Sequence, residues 1–285
     1  MASLSSKIIK TTAVSLVKQA TSAQDYGFSG VSSDGTFEYI GIADGHGKSV
    51  NAIYPTLILK KTDWSSYLMR LNHFKEIIEK CAVIETNGVG STLSICKIYP
   101  DRFEFSWVGD STGKLYKNGV CVFKTRDHDR NNEEENKRLS ENPNVTIQSL
   151  RADGKQIMDI EIMNHTTVRY IESKLYNFGP YNKINFTHSL GHAGATGDHF
   201  STKIIPRELN ESYKAICATD GLWAMVCEED HEFIGSSDTS CEDIVKFADK
   251  RWRQEWDFDN GVSIAKGARF ADNNIDDIGV STWTC

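Results

Sequence analysis

Nowhere in the 285 residues do eighteen apolar side chains run together, so the sequence offers no membrane-spanning helix. The opening Met1-Ala2-Ser3-Leu4-Ser5-Ser6-Lys7 lacks a long apolar run behind a basic start, and no secretory signal is read there. Positive charge is also in short supply: 32 Lys and Arg stand against 39 Asp and Glu, a formal net charge of -7. Nucleic-acid affinity usually rests on a basic face, so a general phosphate-backbone binder is disfavoured. Only 5 prolines occur, with no Gly/Ser tract that would mark a linker or a disordered segment. The seven cysteines, Cys81, Cys96, Cys121, Cys217, Cys227, Cys241 and Cys285, are odd in number and lack a C-x-x-C pair. A reducing compartment suits them best. The expectation is a monomeric protein, cytoplasmic or nuclear, with no membrane and no nucleic acid among its partners.

What is present is a chain long enough for one large layered domain, read here as residues 1–285 without a break. Residues 11–17 and 36–43 are rich in β-branched and aromatic types and read as strands, with a turn at Val31-Ser32-Ser33-Asp34-Gly35. Between Ser65 and Cys81, the residues Leu68, Leu71, Phe74, Ile77, Ile78 and Cys81 recur at helical spacing and predict one amphipathic helix. Strand-like runs follow at 91–98, 103–108 and 114–123, and the short connections 99–102 and 109–113 suit antiparallel hairpins. Residues 127–140 read as a polar loop leading into an exposed helix, whereas 142–200 carry little periodicity. Ser240-Cys241-Glu242-Asp243 reads as a capping box, followed by Ile244, Ala248, Trp252 and Trp256 at four-residue steps. Together these predict an α+β fold, a β-sandwich of two antiparallel sheets flanked by helical layers.

Four aspartates sit at the ends of strand-like runs: Asp44 in Ile42-Ala43-Asp44-Gly45-His46-Gly47, Asp110 in Val108-Gly109-Asp110-Ser111, Asp220 in Ala218-Thr219-Asp220-Gly221-Leu222, and Asp276 in Ile275-Asp276-Asp277-Ile278. Strand ends are rigid enough to aim carboxylates at one point, and hard ions such as Mg²⁺ and Mn²⁺ prefer oxygen ligands. Any one of them could equally be a turn residue, since Asp-Gly is among the commonest turn dipeptides.

The order of motifs adds a second line of argument. Gln24-Asp25-Tyr26, Asp44-Gly45-His46-Gly47, Gly90-Ser91-Thr92, Val108-Gly109-Asp110-Ser111, Asp127-His128, Ala218-Thr219-Asp220-Gly221-Leu222-Trp223 and an Asp-rich terminal strand follow one another through nearly the whole chain. This order resembles the type 2C metal-dependent protein Ser/Thr phosphatases, the PPM family, most specifically in Asp-Gly-His-Gly combined with Thr-Asp-Gly-Leu-Trp. The resemblance implies two Mn²⁺ or Mg²⁺ ions with a third, looser one in some members, and a phosphoprotein as substrate. It implies Asp44 as the bridging ligand, the Gly45 carbonyl beside it, and Asp220 with a C-terminal acid completing the first ion. Asp25 would act through water or from behind, Asp110 would help hold the third ion, and His46 would be the general acid. For the C-terminal acid, Asp272 fits the family's Asp-Asn dipeptide and Asp276 fits the alternating strand that follows. Asp276 is preferred, because a strand begun after Asp272 would have to bury Asp276 and Asp277.

Two ions would lower the pKa of a bridging water and clamp the phosphate for in-line attack, and no cysteine is taken as a nucleophile. The chain also departs from the family. Gln24 stands where many members have Glu, Ala20, Thr21 and Ser22 stand where a phosphate-gripping Arg is common, Lys18 is the nearest cation, Ala224 follows Leu-Trp, and Leu190-Gly191-His192 replaces Leu-Gly-Asp. These departures sustain an alternative: a PPM-like phosphopeptide-binding or regulatory module with weak or lost turnover.

Overall fold

The computed structural model describes residues 12–20, 23–47, 54–82, 89–143, 145–150, 154–177, 183–184, 187–191 and 200–285. Ten strands form its centre: β1 (Val14–Lys18), β2 (Tyr26–Val31), β3 (Glu38–Ala43), β4 (Leu93–Ile98), β5 (Arg102–Val108), β6 (Thr112–Lys117), β7 (Val120–Lys124), β8 (Ser201–Pro206), β9 (Tyr213–Ala218) and β10 (Ile278–Thr284). They make two five-stranded sheets, β1-β10-β9-β6-β7 and β8-β5-β4-β3-β2. Every pairing within the two sheets is antiparallel.

Side chains alternate across each strand, and here both faces are covered. Ile40 and Ile42 of β3, Phe103 and Phe105 of β5, Leu115 of β6, Ala215 and Cys217 of β9 and Trp283 of β10 fill the space between the sheets. The neighbours in register, Ile216 and Ala218 of β9 and Tyr116 of β6, face outward. There they meet Leu222, Ile234, Ile244, Ala248 and Trp252 from α5 (Asp220–Trp223), α6 (His231–Gly235) and α7 (Cys241–Arg253). On the other sheet, Phe28, Tyr39, Leu93 and Ile95 are covered by α1 (Tyr54–Lys60), α2 (Trp64–Tyr67) and α3 (His73–Ala82). The expected sandwich between helical layers is thus the observed fold. A further helix, α4 (Glu133–Ser140), is capped by the Asn132 side chain accepting from Glu135 N–H. A four-stranded sheet of Met158–Ile162, Thr167–Glu172, Trp256–Asp259 and Ile264–Ala268 contains a parallel pairing, between its second and third strands.

Several local expectations are corrected. The first strand begins at Val14, and Thr11 lies outside the described residues. The segment around Asp25-Tyr26 is a full strand, β2, which two glycines in Tyr-Gly-Phe-Ser-Gly-Val made hard to recognise. The helix expected over 65–81 is broken by a turn at 68–72, where Leu71 is 101% exposed. Tyr67 Oη donates to the His73 carbonyl across that turn at 2.7 Å. The run 114–123 is two strands joined at Asn118-Gly119, both with positive φ (52° and 82°), the backbone of a tight hairpin turn. The connection 109–113 is no hairpin, since β5 and β6 belong to different sheets. Trp256 lies past the end of α7, in a strand, though it is buried. The capping box is present: Ser240 Oγ accepts from Asp243 N–H, and the Asp243 carboxylate accepts from Ser240 N–H. No helix among the described residues is long and apolar enough to cross a membrane.

Candidate metal centre

Register alone brings the acidic residues together. Tyr26 pairs with Ala43, so Asp25, just before β2, and Asp44, just after β3, lie at the same end of their sheet. In that sheet Ile42 pairs with Ser94 and Leu93 with Val108, which places the Gly109-Asp110 turn at that end too. In the other sheet Ala218 pairs with both Val280 and Thr112, so Asp220, Asp276 and the approach from Asp110 share one rim. Both rims meet where Thr219, just after β9, donates from its hydroxyl to the Asp25 carboxylate, and Asp220 stands close enough to act electrostatically on Asp25, Asp44, Asp110 and Asp276.

Backbone contacts hold the acids in place. Asp44 N–H donates to Thr92 Oγ1 at 3.0 Å, and Thr92 N–H donates back to the Asp44 carbonyl at 2.8 Å. The Thr92 hydroxyl also meets Ser111 Oγ, tying the Asp44 turn to the Asp110 turn. Asp25 Oδ2 accepts from Thr219 Oγ1 at 2.8 Å, and that oxygen accepts from Gly279 N–H at 3.0 Å. Gly45 and His46 pair in register with Ser91 and Gly90. A Cβ on Gly90 would lie 2.4 Å from His46 Nε2, so the imidazole rests on the bare backbone there. Gly221 is tighter still, since its Cβ would fall 1.8 Å from the Asp277 carbonyl oxygen. Helix α5, and with it Asp220, can therefore seat against the start of β10 only with glycine at that position.

The charge at this rim is unbalanced. Among the described residues, Asp25, Asp44, Asp110, Asp220 and Asp276 form no ion pair with Lys or Arg. Burial raises all of them above the ordinary range, and neighbouring carboxylates add to it at Asp25, Asp44, Asp110 and Asp276; Asp276 is pushed up to about 7. Asp44 and Asp220 lie close enough for their carboxyls to share a proton. Asp220 Oδ1 is buried and finds no N–H or hydroxyl donor among the described residues. An oxygen-only donor set lacking a cation is what a hard divalent ion requires, so the residues present fit Mn²⁺ or Mg²⁺. No three of these aspartates bring one oxygen each within 4.8 Å of one another among the described residues. Carboxylates sharing one ion at about 2.1 Å lie at most about 4.2 Å apart, so Asp44, Asp220 and Asp276 would have to draw together around it.

Asp276 and Asp272 part company. Asp276 stands in the field of Asp220, and its Oδ1 accepts from Asp277 N–H at 2.9 Å, whereas Asp272 is exposed in the 3₁₀ turn Asp272–Asn274. Burial of Asp277, an objection to a strand begun after Asp272, is nonetheless what the structure shows. Asp277 is 1% exposed, and its carboxylate accepts from Ala20 N–H and from Gln24 N–H, binding the segment before β2 to the start of β10. No signal but its Asp-Asp dipeptide marked it. Asp127, in the Asp127-His128 motif, accepts from Thr125 Oγ1 and Thr112 Oγ1, while His128 Nδ1 accepts from Gly109 N–H at 3.2 Å. Both fix the Asp110 turn from behind.

The cation question is also answered by position. Lys18 pairs with Asp249 of α7 at 2.5 Å, on the outer helical layer. Gln24 Nε2 donates to the Gly47 carbonyl at 3.2 Å. Thr21, Ser22 and His192 lie outside the described residues. Cys96 stands six residues before Arg102, the spacing of a thiolate phosphatase loop, although no cysteine is expected to act as a nucleophile. The fold removes it as a candidate: Cys96 is fully buried in β4 with its thiol pushed up by burial, and the Arg102 guanidinium lies over Tyr99 across the hairpin. All seven cysteines are free thiols.

Residues 18–155 match the family model of protein phosphatase 2C. No curated protein matches the chain by sequence. Among solved structures, the serine/threonine phosphatase of S. agalactiae is 18% identical, with a TM-score of 0.57 over 95% of this chain and 97% of that one. Serine-threonine phosphatase 2C from Toxoplasma gondii is 13% identical, with a TM-score of 0.59 over 95% and 94%. A C. elegans sex determining protein is 17% identical, with a TM-score of 0.57; the match covers 95% of this chain but only 64% of that longer one. At these identities the structural likeness is one of fold. The family-model match and the shared fold together show the resemblance to type 2C phosphatases that the ordered motifs carry.

Proposed function

We propose that the chain is a metal-dependent phosphoprotein phosphatase that hydrolyses phosphoserine and phosphothreonine, acting as one domain and as a monomer. The observation supporting this most strongly is the convergence of five buried or half-buried aspartates, unbalanced by any Lys or Arg among the described residues, on one rim of a type 2C sandwich. Asp44, the Gly45 carbonyl, Asp220 and Asp276 would hold two Mn²⁺ or Mg²⁺ ions, with Asp25 behind them and Asp110 available to a third. When bound, the ions supply an acidified water and the positive charge that phosphoryl transfer needs.

The chain's own residues do the rest. Thr92 and Thr219 keep the Asp44 backbone and the Asp25 carboxylate from relaxing apart when the rim is charged. His46, whose ring rests on the backbone of Gly90, would give a proton to the departing serine oxygen, since an imidazole titrates near working pH. Gln24 and the engagement of Lys18 with α7 favour a second reading, a phosphopeptide-binding module with little turnover. Counting bound Mn²⁺ by equilibrium dialysis, alongside hydrolysis of a phosphoserine peptide, separates the two. The enzyme reading expects about two ions and Mn²⁺-dependent phosphate release, both reduced in Asp44→Asn; peptide binding without release would support the module.

A further inference from the structure

Outside the carboxylate rim, one group of side chains has mixed donor chemistry. His165, in the turn between Met158–Ile162 and Thr167–Glu172, meets Cys227 and Glu229 in the segment after α5, and one ligand atom from each lies within 4.8 Å of the others. Asp230 joins them: its Oδ2 lies 3.0 Å from Cys227 Sγ, and its Oδ1 lies 3.2 Å from His165 Nε2. Cys227 Sγ also contacts Glu229 Oε2 at 2.9 Å. We infer that His165, Cys227 and Glu229, with Asp230, form a second metal site, for a borderline ion of the Zn²⁺ class, separate from the aspartate rim.

Three features of the cluster fit such an ion. The first is donor type: imidazole nitrogen, thiolate sulfur and carboxylate oxygen in a four-member set are the ligands of tetrahedral Zn²⁺, whereas Mg²⁺ and Ca²⁺ avoid sulfur. Bond lengths of about 2.0–2.3 Å in a tetrahedron put donors about 3.3–3.8 Å apart, which rotamer adjustments of exposed His165 and Glu229 can reach. The second is charge. With a neutral thiol, Glu229 and Asp230 outweigh Arg251, whose guanidinium contacts Asp230 Oδ1 at 2.8 Å and the Met225 carbonyl at 3.2 Å. A divalent ion that displaces the thiol proton to water brings that cluster to neutrality. The third is support: Arg251 holds Asp230 from behind, and Gln254 Nε2 donates to the His165 carbonyl at 2.9 Å, so donors from two distant segments are held in place before an ion arrives. Binding clips the small four-stranded sheet to the turn that follows α5.

Titration of the whole, chelator-treated chain with Co²⁺ reads this site directly, because only sulfur ligation gives a thiolate-to-cobalt charge-transfer absorption in the near ultraviolet. The aspartate rim has no sulfur and gives no such band, so failure here and failure of the phosphatase reading are separable. The expected result is a saturable band, bleached by Zn²⁺, absent in Cys227→Ser and shifted to weaker binding by about tenfold or more in His165→Ala. His165 is exposed, so its variant keeps the fold, which far-ultraviolet circular dichroism checks. No thiolate band in the unaltered chain, a band surviving in Cys227→Ser, or unchanged affinity in His165→Ala overturns the inference.

Discussion

His46 is the residue whose proposed role is most sharply testable, because a general acid matters only when the leaving group needs a proton. A serine alkoxide needs one and a nitrophenolate does not, and a positioned acid typically contributes about 10²–10⁴-fold. His46→Ala should therefore slow phosphopeptide hydrolysis by that order and nitrophenyl phosphate hydrolysis far less, with bound Mn²⁺ unchanged. Equal losses on both substrates together with lost metal would make His46 a structural prop. The two C-terminal candidates divide as cleanly. Asp276→Asn should weaken Mn²⁺ binding by an order of magnitude or more and Asp272→Asn should not, measured by equilibrium dialysis; the reverse ranking would move the ligand to Asp272. Asp44, Asp110, Asp220 and Asp276 were legible because each stands beside a glycine or another acid at a strand end, whereas Asp25, between Gln24 and Tyr26, was marked only by the order of motifs. Asp277 was not, because what satisfies a buried carboxylate there is a pair of backbone N–H groups at Ala20 and Gln24, more than 250 positions away in the sequence.

Among the elements, those with a strong local period were readable and those decided by neighbours were not. The capping box at Ser240 announced α7, whereas Leu71 kept helical spacing although the chain turns there and leaves it fully exposed. Asn118-Gly119 is a strong hairpin signal on its own, yet the apolar residues on both sides of it read as one continuous strand. No local pattern could show that the 109–113 connection crosses between sheets, since that depends on which sheet β6 joins. Two substitutions separate stability from function at this scale. Ser240→Ala removes a cap at the far end of the site's supporting helix and should cost about 0.5–2 kcal/mol in denaturant unfolding, with turnover per folded molecule unchanged. Gly221→Ala should lower both, because a methyl group 1.8 Å from the Asp277 carbonyl must push α5 and Asp220 away from β10. Retained turnover in Gly221→Ala would mean that the rim tolerates the displacement.

For the whole molecule, the fold gathers negative charge at one end and depends on something else to balance it. In the metal-free state Asp276 is raised to about 7, against about 3.9 in an unfolded chain. Between those values the folded form binds the extra proton, so unfolding free energy falls as pH rises from about 4 to about 7 and then levels off. Thermal unfolding in chelator should therefore show a decline in melting temperature over that window, and Asp276→Asn should flatten part of it; a rise over the same window would contradict the unbalanced rim. Metal-dependent hydrolysis is tested by phosphate release from a phosphoserine peptide by chelator-stripped protein, before and after Mn²⁺ is returned. Release should be absent in chelator, restored by Mn²⁺ better than by Ca²⁺, and lost in Asp44→Asn and Asp220→Asn with the fold retained. Undiminished release in excess chelator, or full activity in either variant, would contradict metal-dependent hydrolysis.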